Sequence, residues 1–252
     1  MTEHRGRDEA GRSSWVVVPA RDEERRIGAA LAAIGLAAAG AAGHVHLIVV
    51  DDGSTDRTAE IVDRCVDHWS HGRAERVPGP AMGSGPARAA GLELALTQAA
   101  HADALIATTD ADSVVPLDWF AAMHRLLDDG AHVIAGDVRL ERHADPRLVA
   151  ARAERLLERL AHVRGSADPR APHPHFAGAN LGFSSRALGA LAPLPAPAAL
   201  EDDALRERCE ALGLPIVRDA SFPVTTSARI IGRAAAGLAT ALASDAVALG
   251  LV

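Results

Sequence analysis

Three apolar runs in the first half of the chain each end abruptly in acid. Trp15-Val16-Val17-Val18 leads into Pro19-Ala20-Arg21-Asp22-Glu23-Glu24, His46-Leu47-Ile48-Val49-Val50 into Asp51-Asp52-Gly53-Ser54-Thr55-Asp56, and Ala104-Leu105-Ile106-Ala107-Thr108-Thr109 into Asp110-Ala111-Asp112. Short, near-continuous apolar runs suit strands buried on both faces, the condition of a helix-covered parallel sheet. The intervening segments carry a helical period. Ile27, Leu31 and Ile34 recur within Glu23 to Ala42, and Ile61, Val62, Cys65, Val66 and Trp69 mark one face of Thr55 to Trp69. A Gly- and Pro-rich stretch, Val77 to Pro86, reads as loop, and Ala87 to Ala100 as a third helix. Alternation of this kind predicts a mostly parallel α/β sheet flanked by helices in a single domain. Ligands of open α/β sheets bind beyond the carboxyl ends of the strands, so three acidic strand ends read as one shared site.

Composition narrows the partners. The 26 basic side chains are all Arg, set against 33 acidic ones for a net charge of −7, and three Trp and four Phe are all the rings available for stacking. Nucleic acid is therefore not expected as a partner. Without Lys the chain lacks a Walker-type phosphate loop, and Gly83-Ser84-Gly85-Pro86-Ala87-Arg88 does not have the spacing of a dinucleotide fingerprint. Cys65 and Cys209 make neither a disulfide framework nor a Cys-rich zinc site, which suits the cytoplasm. Met1 to Ser14 is polar, without the apolar core of an export signal, and is expected to be a loose tail. Ala234 to Val252 is long enough to span a membrane, but Ser244 and Asp245 interrupt it, so a C-terminal packing helix is expected.

Past Asp112, Pro116 to Leu127 suggests a helix and Ala131 to Leu140 a strand extending the sheet. The periodicity then degrades around Pro-rich stretches that flank Phe176-Ala177-Gly178-Ala179-Asn180-Leu181-Gly182-Phe183, whose small residues permit close backbone approach to a ligand. His173 and His175 precede it, with a surface or structural role expected of both. On an extended segment Asp110 and Asp112 point to the same side and can share a divalent cation or its water shell. Glu201-Asp202-Asp203 opens the helical run Ala204 to Leu212, where acids also serve simply as first-turn partners of the helix dipole.

Taken in order, Val18 to Glu24, Val50 to Asp56, Thr109 to Ser113, Gly178-Ala179-Asn180 and Leu200 to Asp203 resemble a family 2 glycosyltransferase. The resemblance covers about Trp15 to Arg233 and implies a GT-A-like, Rossmann-like fold. Its donor half would be 15–115 and its acceptor-binding half 116–233, followed by an apolar helix over 234–252. It implies transfer of one sugar from a UDP- or GDP-linked nucleoside diphosphate donor to a hydroxyl acceptor with Mg²⁺ or Mn²⁺. Pro19, Ala20, Arg21, Glu23 and Asp52 would then hold the nucleoside, the Asp52 carboxylate accepting from a base N–H. Asp22 stands where the family commonly has Asn.

The same resemblance assigns Arg88 to the donor diphosphate, a solvated helix-face Arg being the alternative. Asp110, Ala111 and Asp112 fall to the donor, with Asp112 as the direct metal ligand and Asp110 touching ribose or water. Gly178, Ala179 and Asn180 fall to the acceptor, and Arg229 and Arg233 to a lid over the diphosphate. In inverting members an Asp of the Glu-Asp pair is the general base. That position matches Asp202 beside Glu201, with Asp203 one residue away as the alternative, although retaining members share similar donor motifs. A Gln-x-x-Arg-Trp motif is missing after Asp202, which favours single transfer over processive synthesis. Other readings left open are a sugar-nucleotide nucleotidyltransferase and a silent sugar-nucleotide-binding protein. The acceptor is soluble or lipid-linked, the latter with the protein resting at the inner face of a membrane.

Overall fold

The computed structural model describes residues 13–99, 104–166, 168–197, 201–230 and 238–252. The first half follows the predicted alternation: β1 (Ser13–Ala20), α1 (Ile27–Ala39), β2 (His44–Asp51), α2 (Thr58–Asp67), β3 (Ala74–Pro78), α3 (Ser84–Gln98) and β4 (Leu105–Thr108), with β3 a strand that was not expected. β1 pairs in parallel with β2 and β4, and β2 with β3. Along β1 the side chains alternate between two cores, as the two-residue period of a strand requires. Val16 and Val18 pack with Ile27, Leu31 and Ile34 of α1 and Val62 of α2, while Val17 packs with Leu92 and Ala95 of α3. Both faces are dry, which is why these strands carry no polar alternation.

The second half holds more regular structure than its sequence suggests. β5 (Ser113–Val114), α4 (Trp119–Asp128) and β6 (Val133–Leu140) lead into the 21-residue α5 (Pro146–Ser166). A 3₁₀ turn (Gly178–Asn180), β7 (Leu181–Ser184), α6 (Ser185–Leu191), α7 (Glu201–Ala211), β8 (Ile216–Thr226) and α8 (Leu238–Ala248) follow. The eight strands form one sheet in the order β3-β2-β1-β4-β7-β6-β8-β5. β7 is antiparallel to both β4 and β6, β8 is parallel to β6, and β5 is antiparallel to β8. The parallel block predicted from the first half thus continues as a mixed sheet.

Two of the missed elements, α5 and the first half of β8, turn little of their surface to the main core. In α5 only Leu148 is fully buried, so the helix has no wide apolar stripe. β8 carries Asp219, Ser221 and Pro223 and is half-buried along its first residues. Helix ends moved as well. α3 starts at Ser84 within the expected loop, and Val77 and Pro78 of that loop belong to β3. Ser13 and Ser14, assigned to the tail, open β1, and the rest of the tail lies outside the described residues. No helix among the described residues is long and apolar enough to cross a membrane.

Candidate active site

The carboxyl ends of β1, β2 and β4 open into one cleft of about 870 Å³. Pro19 and Ala20, at the end of β1 in register with Val50 and Asp51, line it together with Arg21, Asp22, Glu23 and Asp52. On the same cleft lie Arg88, Asp110, Ala111 and Asp112, and from the second half Ala179, Asp202, Asp203 and Arg229. The fold therefore brings together acids that the sequence spreads over more than half its length.

Asp22 is a loop staple. Its backbone is left-handed at φ 50°, a conformation that Asp and Asn tolerate better than most residues. Its Oδ1 accepts from the Thr55 N–H at 2.7 Å and its own N–H donates to Ser54 Oγ at 3.0 Å. The Thr55 N–H holds its carboxyl below the usual carboxylate range. An Asn side chain offers the same acceptor. Next to it, Glu23 donates its N–H to Thr58 Oγ1 at 2.7 Å and receives Arg229 Nη1 at 2.6 Å.

Asp52 is buried, and both its oxygens accept from the loop that crosses above it, Oδ1 from Ala81 N–H at 2.6 Å and Oδ2 from Gly83 N–H at 2.7 Å. Arg21 Nη1 stands 4.0 Å from Oδ2. The carboxylate is thus fixed rather than free to swing, and each oxygen retains capacity for a further donor.

Arg88 is not a solvated helix-face residue: it is 5 % exposed. Its Nη1 donates to Thr108 Oγ1 at 2.7 Å and to the Gly178 carbonyl at 3.0 Å, and its Nη2 to Asp110 Oδ1 at 2.6 Å. The side chain passes so close to the 3₁₀ turn that a Cβ on Gly178 would lie 2.3 Å from its Cζ. Arg88 therefore aims Asp110 and ties β4 to that turn.

Asn180, expected at the acceptor, instead lies behind the turn as a core strut with 0 % exposure. Its Oδ1 accepts from Trp119 Nε1 at 2.8 Å, and its Nδ2 donates to the carbonyls of Asp137 at 3.0 Å and Phe222 at 3.1 Å. The amide is consumed by protein partners. Asn180→Ala strands three buried polar groups and leaves a void, so it is expected to lower the unfolding free energy by about 3–5 kcal/mol. Urea unfolding reads this directly, and a loss below about 1 kcal/mol would contradict the strut.

Of the other two residues, Ala179 lines the cleft while Gly178 lies against Arg88. The Gly178 N–H donates to Asp202 Oδ1 at 2.9 Å, and the Ala179 carbonyl accepts from Thr109 Oγ1 at 2.8 Å. Asp203 is half-exposed, 3.7 Å from Arg206. Glu201 opens α7, its side chain outside the described part, and Arg233 lies outside the described residues altogether.

Asp112 holds the electrostatic centre. Pairing of Ser113 with Thr226 brings the chain after β8 alongside it, and Arg229 Nη2 sits 3.1 Å from Asp112 Oδ2 while Nη1 holds Glu23. Glu141 supports this arm, accepting the Ala228 N–H at 3.1 Å and pairing with Arg26 at 3.1 Å. Burial and the nearby Asp110 charge nonetheless raise the Asp112 carboxyl to about 6, against the opposing pull of Arg229 and Arg26. A desolvated carboxylate beside another carboxylate suits a divalent cation. Among the described residues no set of three or more His, Cys, Asp or Glu could hold a metal, so a cation here would rely on water and ligand oxygens for the rest of its shell.

His173 and His175 are both buried, which removes the surface alternative. The His175 N–H donates to His173 Nδ1 at 3.2 Å, so the His173 proton sits on Nε2, 3.2 Å from the Asp219 carbonyl. His175 lines the cleft 3.4 Å from Asp137. Burial first, then Arg152, pushes its ring down to about 3, leaving it neutral at ordinary pH.

Sequence reasoning passed over the Arg26–Glu141 arm and the Arg152, Arg155 and Arg159 side chains of α5, which also line the cleft. The i, i+3, i+7 spacing of the latter was the available signal.

A family model described as glycosyl transferase family 2 matches residues 15–191. No curated protein sequence matches. Among solved structures, S. aureus TarS (residues 1–349) with UDP-GlcNAc superposes with a TM-score of 0.59 at 14% identity, over 93% of this chain and 66% of that one. Mannosyltransferase PcManGT from Pyrobaculum calidifontis, with GDP-Man and Mn²⁺, gives 0.60 at 21%, over 90% and 59%. Glucosyl-3-phosphoglycerate synthase from Mycobacterium tuberculosis, with Mn²⁺, UDP and glucosyl-3-phosphoglycerate, gives 0.56 at 22%, over 87% and 72%. The chain thus spans about two thirds of the length of such structures, and the likeness is one of fold.

Proposed function

The chain belongs to glycosyl transferase family 2 and is a glycosyltransferase, and from that premise we propose that it transfers one sugar from a UDP- or GDP-linked donor to a hydroxyl acceptor, with inversion. Asp202 takes the acceptor hydroxyl proton as the new C1–O bond forms and the bond from C1 to the diphosphate oxygen breaks. Glu201 precedes it in the helix and is the second acid of that pair. A Mg²⁺ or Mn²⁺ held by Asp112, with Asp110 beside it, would neutralise the departing nucleoside diphosphate. Asp52, fixed by two loop N–H groups, uses a remaining lone pair to accept from the base imino N–H. Pro19, Ala20 and Arg21 flank the nucleoside. Arg229 moves from Glu23 and Asp112 to the diphosphate, and Arg88 acts indirectly by orienting Asp110.

One observation carries this reading. Asp202 and Asp110 are linked through a single continuous path, Asp202 accepting from Gly178 N–H while the Gly178 carbonyl and Asp110 both accept from Arg88. That path holds the acceptor base and the donor acid in fixed relation across one cleft. UDP-GlcNAc on TarS and GDP-Man on PcManGT support the donor class, and Mn²⁺ with GDP-Man on PcManGT and with UDP on the M. tuberculosis synthase supports the metal.

The test is a thermal-shift panel of nucleoside diphosphate sugars, with and without Mn²⁺, on wild type and Asp112→Ala. One donor should stabilise the wild type only with metal, with little effect on the variant. If no sugar nucleotide shifts the wild-type transition at millimolar concentration, the reading fails. Binding without turnover in the presence of metal would favour a silent binding protein.

A further inference from the structure

Arg152, Arg155 and Arg159 fall on one face of α5 and line the same cleft as Asp202. Like charges at such spacing repel, so this stripe needs negative charge to offset it. The described residues supply only part of that. Arg155 is paired in bidentate fashion with Asp245 of α8. Arg152 donates to the Val138 carbonyl at 3.1 Å, while Asp137, the acid whose charge acts on it, is already engaged by Arg139 at 2.9 Å. Arg159 is exposed and has no carboxylate partner among the described residues. Burial, together with Arg155 and Arg159, makes the Arg152 guanidinium easier to deprotonate than usual, and Arg152 and Arg159 help keep His175 neutral. Among the described residues this wall of the cleft is therefore cationic and incompletely neutralised, and it comes from the second half of the chain.

We propose that the acceptor is itself an anion, a hydroxyl compound bearing a phosphate or carboxylate, whose charged group is held by Arg159 with Arg152 and Arg155 while its hydroxyl faces Asp202. The proposal rests on the reading of Asp202 as the acceptor base. Guanidinium forks match planar or tetrahedral oxyanions bidentately, which would orient such an acceptor as well as attract it.

The test titrates the full chain by calorimetry, in the presence of UDP and Mn²⁺, with glycerol 3-phosphate, glycerate and neutral glycerol, on wild type, Arg159→Gln and Arg159→Lys. A parallel arm uses vesicles of phosphatidylglycerol against vesicles of phosphatidylcholine. One of the charged probes should bind while glycerol does not, and Arg159→Gln should weaken it at least about tenfold, as expected for one lost charge-assisted contact. Arg159→Lys should retain part of the affinity. UDP binding itself should stay unchanged in Arg159→Gln, and since Arg159 is exposed, so should the melting temperature. A response confined to phosphatidylglycerol vesicles would assign the anion to a lipid headgroup. If no charged probe or vesicle binds, or if Arg159→Gln weakens UDP rather than the probe, the stripe does not serve the acceptor and the proposal falls. Loss of UDP binding by the wild type would instead count against the donor reading.

Discussion

Asp202→Asn is expected to reduce kcat by about 10²–10⁴-fold with donor binding unchanged, the range contributed by a positioned general base. The substitution isolates proton transfer because the amide oxygen still accepts the Gly178 N–H that Asp202 Oδ1 accepts at 2.9 Å. What it removes is the ability to take a proton. Asp203→Asn is the matched control: its carboxylate is half-exposed and 3.7 Å from Arg206, so its loss should change kcat by less than about threefold. Steady-state rates for both variants, with donor affinity measured separately, decide the assignment. A large loss in Asp203→Asn and a near-normal Asp202→Asn would move the base by one residue.

Asp112→Asn should act in opposite directions on activity and stability. Transfer is expected to fall about 10³-fold or more, since a metal clamp on the leaving group supplies several kcal/mol. The metal-free fold, in contrast, should gain. An aspartate in the unfolded chain releases its proton near pH 3.8, whereas burial and Asp110 hold the Asp112 proton up to about 6. Between those values the folded state binds more protons, so stability falls as pH rises, and the penalty is complete above pH 6. A difference of about two pKa units corresponds to about 3 kcal/mol. Urea unfolding with a chelator across pH 4–8 should therefore show a decline in wild type that Asp112→Asn lacks. Identical pH profiles would refute the buried-acid account.

The first-half wall of the cleft was legible because its signals are local. Strand, acidic turn and helix follow one another within a few residues, and burial of β1, β2 and β4 on both faces writes itself as unbroken runs such as Val16-Val17-Val18. The Asp22 staple also leaves a local trace, an Asx-type residue at a turn that demands a left-handed backbone. The second-half wall was read only in outline. Asn180 sits in a segment that looks like ligand-binding loop, and nothing near it in sequence reveals that Trp119, Asp137 and Phe222 use up its amide. Arg88 gave no hint of burial, because its partners lie at Thr108, Asp110 and Gly178.

The sequence alone determined the α/β alternation, the parallel setting of β1, β2 and β4, and the identity of the acids at their ends. Periodicity and turn chemistry act between neighbours in the chain, so they survive being read in one dimension. Only the tertiary structure decided that β7 enters antiparallel between β4 and β6, that Arg229 crosses to Glu23 and Asp112, and that α5 turns three arginines into the cleft. Each depends on contacts between residues far apart in the chain. Their free energy comes from desolvating and pairing charges in three dimensions, which leaves no period behind in the sequence.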